Sequence, residues 1–242
     1  MRVYSGSDIG LVRDSNQDYC QTGLFPDSSV WAVVCDGMGG ANGGCTASSV
    51  AAEAISQQLT EGYRSDMTSE QLRTLMETAV QTANTKVYQM SMESFSLRGM
   101  GTTVVCAIAK DGTIHIVHAG DSRAYLYRDG SIIRLTTDHS IVQQLVTAGQ
   151  LTDEQARQHP SRNIITRAIG TEAVLTTDYT VQAFPGGSQV IICTDGLCGY
   201  FSDEELCDLV RDTNGEDMIG KLIQAAKSRG GSDNITIAVI AD

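Results

Sequence analysis

The chain has 242 residues, 41% of them hydrophobic, with 24 glycines and 3 prolines, enough apolar material to bury a sizeable core and too much for a disordered chain. Acids outnumber bases 29 to 17, a formal charge of −12, which argues against nucleic acid and anionic membrane surfaces as partners, because both require clustered cations. The longest apolar runs, Val30 to Cys35 and Val190 to Cys193, fall far short of the ~20 residues of a bilayer span. The opening residues carry no signal-peptide pattern, so a cytoplasmic protein with no membrane span is expected.

In chain order, the first strong element is the strand-like run Val30 to Cys35, followed by a helix over Cys45 to Leu59. A longer helix runs from Ser69 to Met92. There Leu72, Leu75, Met76, Ala79, Val80, Ala83, Val87 and Met90 recur at spacings of three and four, behind a Thr68/Gln71 capping box. Strands then span Thr102 to Ala109, Thr113 to Ala119 and Arg123 to Tyr127. Asp111-Gly112 and Asp129-Gly130 supply tight hairpin turns, which make this region antiparallel. The segment from Ile141 to Asn163 is only weakly amphipathic and is predicted to interrupt the strands as a mobile insertion.

Strands return at Tyr179 to Ala183 and Gln189 to Thr194. A Ser202/Glu205 box precedes Leu206, Leu209 and Val210, and a further helix through Ile219, Leu222, Ile223 and Ala226 stops at Gly230-Gly231, ahead of a last strand from Asn234 to Ala241. Helices before and after a block of antiparallel strands imply an α+β arrangement of helix layers on sheet. No repeat or linker divides the chain, so residues 1–242 read as one domain. Seven cysteines, an odd number without a Cys-x-x-Cys pair, read as free thiols in a reducing compartment and argue against structural zinc.

Two of the four Asp-Gly dipeptides are not hairpin turns. Asp36-Gly37 ends a buried-looking strand and opens Met38-Gly39-Gly40-Ala41-Asn42-Gly43-Gly44, and Asp195-Gly196 ends the run Val190 to Thr194. An acid at the end of a buried strand is costly to desolvate unless a cation or hydrogen bonds compensate. Asp121, Asp233 and Asp18 stand in comparable places, and converging carboxylates suit Mg²⁺ or Mn²⁺ better than zinc.

Eight blocks in order then carry a resemblance: Arg13-x-x-Asn16-Gln17-Asp18, Asp36-Gly37-Met38-Gly39-Gly40, Gly99-Met100-Gly101-Thr102-Thr103, Gly120-Asp121-Ser122-Arg123, Thr137-Asp138-His139-Ser140, Asn163-Ile164-Ile165-Thr166, Asp195-Gly196-Leu197 and Gly231-x-Asp233-Asn234. Together they resemble the PPM-type, metal-dependent protein phosphatase 2C family of serine/threonine phosphatases in its short bacterial form. The resemblance implies a four-layer α-β-β-α sandwich, two largely antiparallel sheets flanked by helix pairs, with two Mn²⁺ or Mg²⁺ ions at one edge. By position, Asp36 would bridge the metals, the Gly37 carbonyl would hold one and Asp195 and Asp233 the other. Asp18 would act through metal-bound water, Asp121 would join Asp195 at a third metal position, and Arg13 would grip the substrate phosphate. Residues 141–163 correspond to the flap beside the centre. The implied partners are phosphoprotein substrates, including a bacterial serine/threonine kinase that the enzyme opposes.

Departures from the family pattern are equally specific. Gln17 stands where many members carry Glu, while Met38 and Ala41 replace histidines of eukaryotic and bacterial relatives, so leaving-group protonation is expected to fall to metal-bound water. His115 and His118 read as ordinary sheet residues, His139 as fixing a helix start, Arg123 as a structural ion pair following Asp121, and Ser122, Thr102 and Thr103 as structural. The leading expectation is hydrolysis of phosphoserine and phosphothreonine by a metal-activated water. The alternatives are a catalytically weak phosphoprotein-binding module and a hydrolase of small phosphate esters.

Overall fold

The run Val-Trp-Ala-Val-Val-Cys is apolar at every position because both of its faces are covered, as in any strand at the centre of a layered fold. Val30, Ala32 and Val34 point into the space between two sheets, while Trp31, Val33 and Cys35 point toward helices. The computed structural model describes residues 1–242, except the side chains of residues 41 and 42. Strands β1 (Arg2–Asp8), β2 (Asp18–Leu24) and β3 (Val30–Met38) lead into helices α1 (Gly40–Gly62) and α2 (Ser69–Glu93). Strands β4 (Gly101–Thr102), β5 (Val104–Lys110), β6 (Thr113–Ala119), β7 (Arg123–Arg128) and β8 (Ser131–Arg134) come next. Two short helices, α3 (Ile141–Thr147) and α4 (Asp153–Gln158), precede β9 (Asp178–Ala183) and β10 (Gln189–Cys193). Helices α5 (Asp195–Cys198), α6 (Asp203–Val210) and α7 (Gly215–Ser228) and strand β11 (Ile235–Ala241) complete the order.

One sheet runs β1-β11-β10-β7-β8 and the other β2-β3-β5-β6-β9, with β4 attached to β3. Every neighbouring pair is antiparallel. The period-two alternation of each central strand divides its side chains between layers. In β10, Val190 and Ile192 face the inter-sheet core, while Ile191 and Cys193 face the layer that Leu197, Leu206, Met218 and Leu222 contribute. Helices α1 and α2 cover the other sheet through Ile55, Leu59, Leu72, Met76 and Val80. The architecture is the expected α-β-β-α sandwich.

Both expected capping boxes are present: Thr68 with Gln71 starts α2, and Ser202 with Glu205 starts α6. The Asp-Gly hairpins are also found, with φ positive at Asp111 and Gly112 and at Asp129 and Gly130. Three differences stand out. Helix α1 begins five residues ahead of Cys45, inside the glycine tract. That tract is glycine because backbones nearly touch there: a Cβ on Gly37 would lie 2.2 Å from the Gly44 carbonyl oxygen, and one on Gly44 would lie 2.7 Å from Gln17 Oε1. Strands β1, β2 and β8, which carry no continuous apolar run, are additional to the expected set. The insertion after Ser140 is partly helical, with α3 capped by Ser140 and α4 by a Thr152/Gln155 box.

Candidate metal centre

Strand pairing brings the acids together. Asp18 is the cross-strand partner of Asp36 where β2 meets β3. Asp121 follows β6, Asp195 opens α5 directly after β10, and Asp233 precedes β11, so both sheets deliver carboxylates to one end of the sandwich. Hydroxyls and one amide hold the frame. Thr194 Oγ1 donates to Asp18 Oδ2 at 2.8 Å and accepts from the Thr236 backbone N–H at 3.0 Å. Asp36 is fixed through its backbone: its N–H donates to Thr103 Oγ1 at 3.0 Å, and its carbonyl accepts from the Thr102 hydroxyl and the Thr103 N–H, both at 2.9 Å. Asn234 Oδ1 accepts from the Gln17 N–H at 2.8 Å, and its amide nitrogen donates to the carbonyls of Ile9 and Ser15.

Thr102 and Thr103, expected to pack, therefore hydrogen-bond the strand segment that carries Asp36. Ser122 is buried against Thr103 Oγ1 at 2.7 Å. Thr194 is a positioning residue that sequence reasoning passed over, although it directly precedes Asp195. Gln17 turns its side chain toward α1, donating from Nε2 to the Gly40 carbonyl at 2.8 Å, while its own carbonyl accepts from the Gly37 N–H and from Ser48. A carboxylate at position 17 could not make the first of these bonds. Arg123 pairs with Asp138 and not with its neighbour Asp121. Its Nε reaches both carboxylate oxygens and its Nη2 lies 2.8 Å from Oδ2, while Arg134 joins from the other side.

The acids lie close together with little countercharge. Burial, then repulsion from Asp18, Asp195, Asp121 and Asp233, pushes Asp36 well above the usual carboxylate range. Burial, reinforced by Asp195 and Asp233 against the Thr194 hydrogen bond, raises Asp18 to about 7. Burial and the nearby Asp195 and Asp138 raise Asp121 to about 8. Asp195 is raised by burial and by Asp233, and its Oδ1 is buried with no hydrogen-bond partner. Among the described residues the one ion pair to this group is exposed: Arg13 Nη2 lies 2.7 Å from Asp233 Oδ2. Mutually repelling oxygen donors, one of them orphaned, fit a hard divalent cation, which would supply the missing positive charge. Of the positions discussed for a general acid, Met38 is thioether, and the side chain of Ala41 lies outside the described residues.

His118, His139 and Asp178 form a second group whose ligand atoms lie within 4.8 Å of one another. Its wiring does not favour an ion. The two imidazoles stack 4.6 Å apart with planes 8° from parallel, so their in-plane lone pairs cannot converge on one point. Arg167 Nη1 already lies 2.8 Å from Asp178 Oδ1. His115, by contrast, is a sheet residue bonded through Nδ1 to Tyr179 Oη at 2.6 Å.

Two sheets thus pool acidic oxygens at one end, with α3 and α4 beside them. The family model described as protein phosphatase 2C matches residues 12–235. Protein phosphatase PhpP of Streptococcus pneumoniae is 33% identical over 242 residues, covering 100% of this chain and 97% of its own. The serine/threonine phosphatase stp of Listeria monocytogenes is 32% identical over 97% of this chain and 93% of its own. Among solved structures, serine/threonine phosphatase Stp1 from Staphylococcus aureus superposes with a TM-score of 0.93 at 31% identity, covering 99% of this chain and 94% of that one. The catalytic domain of serine threonine protein phosphatase PstP, solved with two manganese ions, gives 0.86 at 30% identity over 100% of this chain and 98% of that one. The chain belongs to the protein phosphatase 2C family.

Proposed function

We propose that this chain, acting as one catalytic domain over residues 1–242, hydrolyses phosphoserine and phosphothreonine in proteins at a binuclear Mn²⁺ or Mg²⁺ centre. That it is a serine/threonine protein phosphatase follows from its family and from relatives of that name at about a third identity over nearly their full length. When bound, the ions supply an activated water and offset charge on the phosphoryl oxygens. The chain supplies the rest. Asp36, the Gly37 carbonyl, Asp195 and Asp233 would hold the ions directly, Asp18 would support them through water, and Asp121 with Asp195 would form a third position. Thr103, Thr194 and Asn234 keep these donors in register across the two sheets. Arg13, on the loop ahead of β2 and beside Asp233, provides a cation where the substrate phosphate would enter.

The observation that carries this reading is the acid cluster with little countercharge: buried and half-buried carboxylates from both sheets with one exposed arginine among them. Phosphoprotein substrates, including a serine/threonine kinase, are the partners this activity requires. A cytoplasmic location accords with the seven free thiols. The test is a manganese-dependent assay on a phosphopeptide with Asp36→Asn and Asp233→Asn. Both variants are expected to fold and to lose at least about two orders of magnitude in turnover, the scale of losing a principal electrostatic group. Full turnover by folded Asp36→Asn, or by the unaltered protein in excess chelator, would sink the proposal.

A further inference from the structure

His139 sits at the root of the α3–α4 insertion and faces the loop that carries Asp121. Its backbone N–H donates to the Gly120 carbonyl at 2.9 Å, and its ring Nδ1 accepts from the Gly120 N–H at 3.1 Å. Both backbone groups of the residue preceding Asp121 are thus committed to one histidine. The bond also fixes the ring's chemistry. A backbone N–H can only donate, so Nδ1 holds a lone pair and the proton of the neutral ring is on Nε2. Nε2 faces both Asp178 Oδ2 at 3.2 Å and Arg167 Nη1 at 3.0 Å. A guanidinium cannot accept, so the carboxylate alone takes the Nε2 proton, and Asp178 is itself held by Arg167 at 2.8 Å. The remaining contacts lock the ring in place: the side chain is 7% exposed, His118 stacks on it, and the His139 carbonyl accepts from the Thr166 N–H at 2.7 Å, closing the far end of the insertion.

We infer that His139 is a positioning residue for the Asp121 carboxylate, acting through the Gly120 backbone and oriented by Asp178 and Arg167. This rests on Asp121 being a metal ligand, as proposed above. Groups that orient a ligand from behind commonly change metal affinity by about 10- to 100-fold when removed.

Two replacements separate the ring's two ends. In His139→Asn, Oδ1 overlies the lost Nδ1 and keeps an acceptor for the Gly120 N–H. In His139→Gln, Nε2 overlies the imidazole Nε2 and keeps the donor to Asp178, but the acceptor is gone. Calorimetric titration with manganese alone, with Asp121→Asn alongside, defines the binding step that depends on Asp121. His139→Gln should weaken that step by about tenfold or more and leave the other steps unchanged, while His139→Asn should stay within about threefold. Hydrogen exchange of the Gly120 amide in the metal-free protein should accelerate in His139→Gln and not in His139→Asn. Equal shifts in both variants, or a Gly120 amide indifferent to the choice of residue, would overturn the inference. An Asp121→Asn protein with an unaltered manganese titration would instead overturn the ligand set, and this inference with it.

Discussion

Arg13 is half exposed, and its single ion pair to Asp233 is open to solvent, so it stabilises the fold by no more than about 1 kcal/mol. The arginine is therefore free to serve binding. Truncation should leave the protein folded while removing charge-assisted hydrogen bonds to a phosphate, each on the order of 1.5–3 kcal/mol. Arg13→Ala is expected to raise KM for a phosphopeptide by about tenfold or more, with kcat changed much less, as befits a contact made before the chemical step. Steady-state kinetics at saturating manganese decides the matter, and an unchanged KM in a folded variant removes Arg13 from the site. At this scale Asp36, Asp121, Asp195 and Asp233 are legible in the sequence because each stands close to glycine at the edge of a strand, where an unpaired charge has no structural excuse, while Asp18 is legible through its motif Arg13-x-x-Asn16-Gln17-Asp18. The groups that hold them are not legible. Thr103 and Thr194 are β-branched residues at strand ends, and nothing in their identity separates a good strand former from a hydroxyl aimed at a neighbouring strand.

Elements divide in the same physical way. Strands buried on both faces, β3, β5, β6, β10 and β11, appear in the sequence as apolar runs because every position must avoid water. The strands that escape such reading, β1, β2 and β8, all lie at sheet edges, where half-buried Ser, Gly, Gln and Thr suffice and no alternation is imposed. The start of α1 hides for a different reason: its glycines answer to neighbouring backbone and give no helical signal. The insertion of α3 and α4 buries little beyond Val142 and Ala156, so its weak periodicity is a true report of weak burial. It flanks a cleft of about 680 Å³ that runs from Asp121 and Asp195 past Arg157 and Arg162. No ion pair engages these two arginines among the described residues, and both line the cleft on the side of the insertion, where a protein substrate has groups to offer them and a small ester has none. Arg157→Ala and Arg162→Ala should therefore lower phosphopeptide kcat/KM several-fold, on the order of 1 kcal/mol, and leave a small aryl phosphate almost unaffected. Gln158→Ala, outside the cleft lining, is the control. Equal losses on both substrates would show that the insertion supports the acid cluster and does not read the protein around the phosphate.

The molecule as a whole is two sheets joined by apolar side chains through the middle and by mutually repelling acids at one end. An ordinary aspartate titrates at 3.8, whereas Asp18 is pushed up to about 7 and Asp121 to about 8. For acids with raised native values, the folded state holds protons that the unfolded chain has released. Stability is then unaffected below about pH 4, falls as pH climbs toward 8, and levels off above it. Burial holds His115, His118 and His139 below their ordinary 6.5, which makes stability rise with pH up to about that value and opposes the acids there. The metal-free protein is therefore expected to melt at progressively lower temperature from about pH 6.5 to 8, and Asp121→Asn to flatten that slope by removing one of the titrating groups. A divalent ion that binds only the native cluster should offset this loss. At a hundred times its Kd it contributes about 2.7 kcal/mol, which for a chain of this length corresponds to a rise of roughly 5–10 °C. Scanning calorimetry at pH 7.5 with and without manganese should show that rise in the unaltered protein and little of it in Asp36→Asn, where the proposed bridging carboxylate is lost. A metal-free melting temperature that climbs between about pH 6.5 and 8, where the histidines no longer titrate, would mean that the carboxylates do not repel as their burial implies, and one that manganese leaves unmoved would mean that no cation joins the sheets there.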